Sequence, residues 1–550
     1  MKKRFENKNN VLLVNITRLG DMLQATPTIA GMKAENPDCK VTVLVEKQFE
    51  DVCHHIPNID EVKSLDLGMT VRSISREQDG IVDAFEYVGE VVDDLRSQKF
   101  DYCLNMSSSA YTALLLKLVG IERNGGWTSD DEGYRIIESD WARLFASSVY
   151  HQNRQFNSLN LVDVFRCSAD VEKHPSHLLM NVGADALAHA EQLLSEARFT
   201  NNGPLIAIQA GASQEKRQWA PEHFIKLINI FVNSMNARVV MIGSKKELPI
   251  IERIAAGCNS PNVFIAAGKT NIPQLAAMLK KSDILVTGDT GPMHMSVAVG
   301  TPVVSMFLSS AYGFETGPYS EGNIVLQPVI GCGPCNPNKP CAGLECHDTM
   351  PPELIAKLTE MRLREDFKTI PDGLADPRHV IVYRSHFDEF GFCDLQALNS
   401  TQFDAWRKYR DAYRRVWLED LGGFKQPEIQ TPRPMAFPMY DEAIAGLGNV
   451  IELASQGERL IAELSRLITD VRAPGQSLGT VNSKLNELDR KIEQIGFHHP
   501  PLGPVTRMFV FAKENLLGSD ALELASQMQR VYADLGRRGK KLGAYYHSIS

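Results

Sequence analysis

The sequence has no long hydrophobic run and no excess of positive charge. Its first apolar run, residues 11–16, is too short for the core of a signal peptide or for a membrane span. The formal net charge of −9 argues against nucleic acid as a partner. We therefore expect a cytoplasmic protein, and only the basic residues 537–541 leave peripheral contact with an anionic inner membrane open.

Cysteine is scarce outside one segment. Six of the ten cysteines are scattered, which fits reduced thiols, whereas four lie in a C-x2-C-x5-C-x4-C pattern among glycine, proline and asparagine. Such a segment has little to bury, so four thiolates around one zinc or iron ion would order it, and disulfides are the alternative. Four protein ligands leave no open position, which makes the predicted metal structural. The predicted ligands are Cys332, Cys335, Cys341 and Cys346.

The chain is rich in alternating strand and helix patterns. Its 550 residues, 43% of them hydrophobic, can bury several cores and predict about three to four domains. Apolar runs at residues 11–16 and 205–209 each begin a series in which strands and helices alternate, as in parallel sheets. We predict an α/β fold with two lobes facing a cleft, residues 1–175 and 176–365, and a mainly helical region at 366–550.

The segment at residues 283–304 predicts an anion site. It reads as an apolar strand, a turn containing Asp289, Thr290 and Gly291, and a helix that begins at Pro292. Proline suits the first helical position, and the free N–H groups of that helix would point out of the turn. Phosphorylated ligands bind where a helix begins at the carboxyl end of a parallel strand. An ordinary strand-to-helix turn is the alternative.

A carboxylate occupies the matching position in the first lobe. Asp21 follows the strand at residues 11–16, where helix N–H groups favour its ionised form. A carboxylate placed there could accept a proton from an attacking hydroxyl group. It could also serve only as a helix cap, since aspartate is among the preferred capping residues.

Two other charged positions follow strands of the second lobe. Lys216 and Arg217 lie in a loop where a cation could stabilise the negative charge of a departing diphosphate without a metal. A solvated surface pair is the alternative. Glu247 could accept hydrogen bonds from ribose hydroxyl groups, or it could only complement the dipole of its helix.

Four segments occur in a characteristic order: VLLVNITRLGDMLQATPTI, GASQEKRQWAPEHF, VVMIGSKKE and DTGPMHMSVAVGTPVVSMF. Together they resemble glycosyltransferase family 9, the ADP-heptose:lipopolysaccharide heptosyltransferases, over about residues 11–355. The resemblance implies a GT-B fold of two Rossmann-like domains, with the nucleotide sugar held mainly by the second. It also implies catalysis without a metal or other cofactor. A similar cysteine cluster occurs in members that look like protein heptosyltransferases.

The resemblance also implies roles for individual residues. Asp21 would be the general base, and Arg217, with Lys216 as the alternative, would contact the donor phosphates. Asn105 and Ser107, which end a strand of the first lobe, are acceptor-side candidates by analogy with the fold. His294 could instead be only a packed helix residue. The sugar and diphosphate would be lined by Asp289, Thr290, Gly291 and His294.

The chain beyond about residue 365 lies outside the resemblance. Apolar residues spaced three and four apart place one stripe on a predicted helix, from Leu478 to Ile495. Because the stripe lasts under three heptads, a helical bundle within the chain is favoured, and a homo-oligomer formed through these helices is the alternative.

The residues and the resemblance together predict an inverting glycosyltransferase. It would transfer heptose from ADP-heptose to lipopolysaccharide core or a related glycan, with Asp21 as the base. Three alternatives stay open: a protein O-heptosyltransferase, a nucleotide-sugar epimerase on the same fold, and a non-catalytic assembly subunit.

Overall fold

The chain forms two α/β lobes and a helical region, which confirms the predicted fold class. The computed structural model describes residues 8–76, 79–150, 152–341, 343–365, 367–425, 439–470 and 475–548.

The first lobe is built around one sheet with helices on both faces. Its elements are β1 Asn10–Asn15, α1 Leu19–Gln24, α2 Thr26–Glu35, β2 Lys40–Glu46, α3 Glu50–Cys53, β3 Glu61–Leu65, α4 Leu67–Ile74, α5 Gly80–Ser97, β4 Tyr102–Asn105, α6 Ala110–Val119, β5 Asn124–Ser129, β6 Arg135–Ile137, α7 Asp140–Ser148 and α8 Leu161–Ser168. The strand order is β3-β2-β1-β4-β5-β6, and only β6 pairs antiparallel. Val11 and Leu13 enter one core, whereas Leu12 and Val14 enter another, so β1 is apolar throughout because both of its faces are buried.

The second lobe has a longer sheet. Its elements are α9 Ala184–Glu196, β7 Leu205–Gln209, α10 Pro221–Ser234, β8 Arg238–Ile242, α11 Leu248–Cys258, β9 Val263–Ile265, α12 Ile272–Lys281, β10 Ile284–Gly288, α13 Gly291–Ala298, β11 Val303–Met306, α14 Gly313–Thr316, β12 Ile324–Pro328, α15 Glu345–Asp348, α16 Pro352–Arg364, β13 Val380–Phe387 and β14 Cys393–Ala397. The strand order is β14-β13-β12-β11-β10-β7-β8-β9. The strands β7 to β12 pair in parallel, and β13 and β14 add an antiparallel edge.

Both sheets reverse their strand order at one place, between β1 and β4 in the first lobe and between β7 and β10 in the second. Ligands of open α/β sheets bind at the carboxyl ends of the strands beside such a reversal. Asp21 follows β1, Arg217 follows β7 and Asp289 follows β10. The fold therefore gathers the strongest sequence candidates at the two positions where ligand binding is expected.

The sheet of the second lobe continues beyond the division predicted at residue 365. Val382 of β13 pairs with Leu326 of β12, so the strand after the predicted division completes the preceding sheet. An apolar strand such as VIVYRSHF gains a buried partner there, which local sequence does not specify. The division of the chain into three domains stays a prediction.

The helical region packs on the first lobe as well as on itself. It comprises α17 Arg407–Asp420, α18 Tyr440–Thr469, α19 Gly475–His498, α20 Gly503–Glu514 and α21 Ala521–Ser548. The predicted stripe on α19 is buried at Val481, Leu485, Leu488 and Ile492 in a core that also contains Phe156 of the first lobe. These positions support the intramolecular alternative, while the oligomeric state stays a prediction.

The basic run at residues 537–541 is largely paired within the chain. Arg537 and Arg538 donate hydrogen bonds to the carboxylate of Asp420, each at 2.7 Å. Lys541 forms an ion pair with Glu419. These contacts leave less of the run for an anionic surface than its sequence suggests. Among the helices of the described residues, none is both long and apolar enough to cross a membrane.

Candidate active site

Asp21 lies in the first turn of α1, which meets the second lobe at α13. Its side chain is half-buried, and burial raises the pKa of Asp21 above its ordinary value of 3.8. A hydrogen bond with Thr17 and the nearby charges of His294 and Arg18 lower the pKa, whereas the charge of Asp289 raises it further. The predicted base of one lobe therefore stands within the electrostatic reach of the predicted donor residues of the other.

Asp289 and Arg217 form an ion pair at the end of β10. The Arg217 Nη2 atom donates to the backbone carbonyl of Asp289 at 3.0 Å and also to its carboxylate. The two side chains are only 13% and 14% exposed, so water screens the pair little. Asp289 therefore holds a guanidinium group beside the first turn of α13.

The N-terminus of α13 has no side-chain cap. Thr290 precedes the helix in an extended conformation, and its hydroxyl group shares a 3.0 Å hydrogen bond with that of Thr287 instead of capping the helix. Gly291 and Pro292 then form the first turn. The uncapped N–H groups can donate hydrogen bonds to an anionic ligand, as the anion site predicted from the sequence requires.

His294 is buried where the two lobes touch. Burial lowers the pKa of His294 below its ordinary value of 6.5, while the charges of Asp289 and Asp21 oppose the shift. Its Nδ1 atom has no hydrogen-bond partner among the described residues. His294 is thus a neutral side chain near pH 7 and lies against Gly20 of α1.

Gly20 permits this contact between α1 and α13. A Cβ atom added at Gly20 would lie 2.9 Å from Cδ2 of His294, closer than normal packing allows. We predict that Gly20→Ala separates the two helices at a cost of about 1–3 kcal/mol, as in other overpacked contacts. Steady-state kinetics should show a rise in donor KM and a fall in kcat. The matched control is Gly89→Ala in α5, where an added Cβ meets nothing within 4 Å, and equal effects of the two substitutions would contradict the prediction.

Glu247 connects the ends of β7 and β8. Its carboxylate accepts hydrogen bonds from the Ser244 backbone at 2.6 Å and from Gln209 Nε2 at 2.8 Å. Together with Ser244, Glu247 forms a capping box at the turn before α11. The structure therefore places Glu247 at the carboxyl ends of β7 and β8 and gives it a local capping role, whereas the sequence alternative was an interaction with the helix dipole. Its contact with ribose stays a prediction.

Lys216 points away from its neighbour Arg217 and toward the cysteine segment. Its Nζ atom donates to the backbone carbonyl groups of Pro337 at 2.7 Å and Lys339 at 2.9 Å. A third, longer contact of 3.4 Å reaches the carbonyl of Asn336. Between the two cations left open by the sequence, only Arg217 faces Asp289.

Asn105 and Ser107 lie at the carboxyl end of β4, as predicted, but both are beneath the surface. Both are fully buried, and the Asn105 amide group donates to the carbonyl of Trp127 at 2.9 Å. The Ser107 hydroxyl accepts from the backbone N–H of Ile16 at 2.9 Å. These contacts hold the loop after β4 and do not present either side chain to an acceptor.

Sequence reasoning missed an ion pair that joins the lobes. Arg154 donates to both carboxylate oxygens of Glu315 at 2.9 Å, and the side chains are 14% and 6% exposed. The charge of Asp289 also acts on the pKa of Arg154, which places the pair near Asp289. The partners are 161 residues apart, so no local pattern indicates the pair.

The four clustered cysteines line one cavity of about 140 Å³. All four are free thiols, and burial together with the neighbouring Cys332 and Cys346 raises the pKa of Cys335. Across the described part of the chain, however, no three His, Cys, Asp or Glu side chains form a group that could hold a metal. The structure gathers the predicted ligands without arranging them around a common centre.

Comparisons with known proteins show which families this chain resembles. A family profile described as glycosyltransferase family 9 (heptosyltransferase) matches residues 88–343. Lipopolysaccharide heptosyltransferase 3 of Escherichia coli is 25% identical over 307 residues, which cover 56% of this chain and 85% of that protein. Lipopolysaccharide core heptosyltransferase OpsX of Haemophilus influenzae is 26% identical over 323 residues, covering 58% and 83%.

A solved structure shares the architecture. The glycosyl transferase family 9 structure from Veillonella parvula covers 65% of this chain and 97% of its own, with a TM-score of 0.51 and 18% identity. This likeness shows the GT-B fold.

Proposed function

Because the chain belongs to glycosyltransferase family 9, the heptosyltransferase family, we propose that it transfers heptose from ADP-heptose to a lipopolysaccharide-core or related glycan. The observation that carries the proposal is the contact between α1 and α13. It brings a carboxylate with a raised pKa, Asp21, up to the uncapped helix end that Arg217 and Asp289 flank.

In the proposed reaction, Asp21 takes the proton of an acceptor hydroxyl group. The hydroxyl oxygen forms a bond to the anomeric carbon while the bond from that carbon to the β-phosphate oxygen breaks, and attack opposite to the leaving group inverts the configuration. The departing ADP carries the extra negative charge. Arg217 and the N–H groups of α13 stabilise that charge, so this step needs no metal ion.

The other predicted donor residues serve positioning in this proposal. Asp289 holds Arg217 in place, Gly291 lets the diphosphate approach the backbone beside Thr290, and His294 lies against the sugar as a neutral group. Glu247 stands where the ribose hydroxyl groups would lie, next to the end of β7. We place this activity in the cytoplasm.

The proposal is tested by donor binding followed by product analysis. Purified protein is screened for thermal stabilisation by ADP-heptose and other nucleotide sugars, and products are identified by mass spectrometry. A heptosylated glycan supports the proposal, whereas a heptosylated protein supports the O-heptosyltransferase alternative. An altered free donor would support epimerisation, and absence of donor binding would support an assembly subunit.

We also propose that Cys332, Cys335, Cys341 and Cys346 hold one structural zinc or iron ion. The support is their shared cavity, in which all four thiols lie together in a segment with little else to order it. The cavity also includes Lys216, which anchors the segment through backbone carbonyl groups and leaves the thiols free to bind.

We predict that the double substitution Cys332→Ser, Cys335→Ser lowers the metal content and the melting temperature together, because thiolate ligation supplies the order that this apolar-poor segment lacks. Elemental analysis of protein purified without added metal and a thermal melt are the two measurements. Cys167→Ala, at a half-buried thiol outside the segment, should leave the metal content unchanged. A well-folded wild-type protein without zinc or iron and with four free thiols would refute this proposal.

A further inference from the structure

A cavity of about 170 Å³ lies next to the Arg154–Glu315 pair and has no part in the mechanism above. It opens where the end of β12 meets the segment before α17. Gln155, which follows Arg154, and Phe314, which precedes Glu315, both line it. The cavity therefore lies next to the ion pair that joins the lobes, and none of the predicted donor residues lines it. Its aromatic lining consists of Tyr312, Phe314, Tyr383, Phe403 and Trp406.

The polar lining of the cavity centres on a buried guanidinium group. Arg410 is 4% exposed and forms an ion pair with Asp404, and its Nη1 atom donates to the Tyr312 hydroxyl at 3.0 Å. The guanidinium carbon lies 4.3 Å from the centre of the Phe314 ring. The Nε atom of Arg410 has no hydrogen-bond partner among the described residues. This Nε atom has almost no accessible surface, so a ligand in the cavity would not reach it, and the contacts with Asp404 and Tyr312 instead fix the guanidinium group in the cavity wall.

These features select the chemical class of a ligand. Arg410 is the one cation among the described residues that line the cavity and is paired with Asp404, whereas the N-terminus of α13 adds to the charge of Arg217, so the cavity offers little positive charge to a phosphate group. Aromatic faces combined with hydrogen-bonding groups instead suit a neutral ring with an apolar face and several hydroxyl groups. The volume of about 170 Å³ suits a small ligand such as a single sugar ring.

We propose that this cavity binds one sugar residue of the acceptor glycan. The inference rests on the proposed function, because it treats a glycan as the acceptor. Phe403 and Trp406 come from the part of the chain beyond the family match, so this subsite would select acceptors through residues outside the matched region. The acceptor would then be held partly by the second lobe and the segment leading into α17.

The test uses the full-length protein without donor. Saturation-transfer NMR measures binding of methyl glucoside, methyl galactoside and methyl heptoside to wild type and to Phe403→Ala. Phe403 is 43% exposed, so its replacement should spare the fold, and loss of one aromatic face should weaken glycoside binding about tenfold. The matched control is Phe85→Ala, at an exposed phenylalanine on the first lobe.

A kinetic measurement separates this inference from the proposed function. With ADP-heptose and a core oligosaccharide, Phe403→Ala should raise the acceptor KM about tenfold while donor KM and Tm stay unchanged. If the donor is turned over but no methyl glycoside binds wild type, or the variant keeps the wild-type acceptor KM, the subsite is wrong and the function stands. If ADP-heptose neither binds nor reacts, the proposed function is wrong, and glycoside binding that Phe403→Ala weakens would still support the cavity.

Discussion

Asp21→Asn should abolish most transfer while leaving donor binding intact. The amide group has the shape of the carboxylate but cannot take the proton of the acceptor hydroxyl, and loss of a general base lowers kcat by about 10²–10⁴. The measurement is single-turnover transfer with ADP-heptose, accompanied by donor binding from thermal shift. Near-normal turnover by Asp21→Asn would remove Asp21 from the role of base.

The pKa of Asp21 adds a second readout to the same variant. A base acts only when deprotonated, and the pKa of Asp21 is raised by burial, so wild-type kcat/KM should fall as the pH drops through a value above 3.8. Burial is the main cause of this increase, the hydrogen bond with Thr17 and the charges of His294 and Arg18 oppose it, and the charge of Asp289 adds to it. The residual activity of Asp21→Asn should lack this acidic limb.

The raised pKa of Asp21 also predicts how Asp21→Asn changes the stability of the protein. A carboxyl group whose pKa is raised by folding contributes stability below its unfolded pKa, and this contribution is lost as the pH rises through the folded pKa. At pH 7 the buried charge of Asp21 therefore opposes folding. The neutral amide should leave the melting temperature unchanged or higher, which distinguishes lost chemistry from lost structure.

Arg217→Ala should be the next most damaging substitution. It removes the cation that lies at the end of β10 and leaves the Asp289 carboxylate without its partner near Asp21. We expect donor binding to weaken and kcat to fall by about 10²–10³, as when one stabilising donor of a reaction centre is deleted. The loss should be the same in excess EDTA, because the side chain acts where a metal would otherwise be needed. Loss of wild-type transfer in EDTA, with the fold intact, would refute this mechanism.

Lys216→Ala is the matched control for Arg217→Ala. The two cations are neighbours in the chain, but Lys216 donates only to carbonyl groups of the cysteine segment. Its removal should lower the metal content or the melting temperature and leave donor affinity near the wild-type value. Equal losses of donor affinity in both variants would contradict the division of roles.

The buried parallel strands were the most predictable part of the fold. Strands β1, β2, β4 and β7 through β11 are short apolar runs bounded by turn residues, and burial on both faces produces that pattern directly. The strand β5 has the sequence NGGWTS and was missed, because two glycines and three polar residues carry no strand signal. Its place in the sheet depends on pairing with β4, which only the tertiary structure provides.

The candidate site was only partly predictable. Sequence order put Asp21 and Asp289 at strand ends, and parallel topology then brings such positions to one edge of each sheet. The sequence could not show which of Lys216 and Arg217 faces Asp289, since the direction of each side chain depends on one short turn. Nor could it show that Asn105 is buried at its strand end, or that Arg154 meets Glu315. These features depend on packing between distant segments, and the roles of all the site residues remain predictions.

The stretch from β13 to the end of α17 is attached to both lobes. It is hydrogen-bonded to β12 at one end, while Tyr409 and Tyr413 at the other end pack against Phe156 of the first lobe. A segment fixed on both sides of a cleft acts as a tether. A wide hinge opening would have to break the β12–β13 ladder or pull the tyrosines from their core, so we expect donor entry and product release in the proposed reaction to involve only small rotations of the lobes.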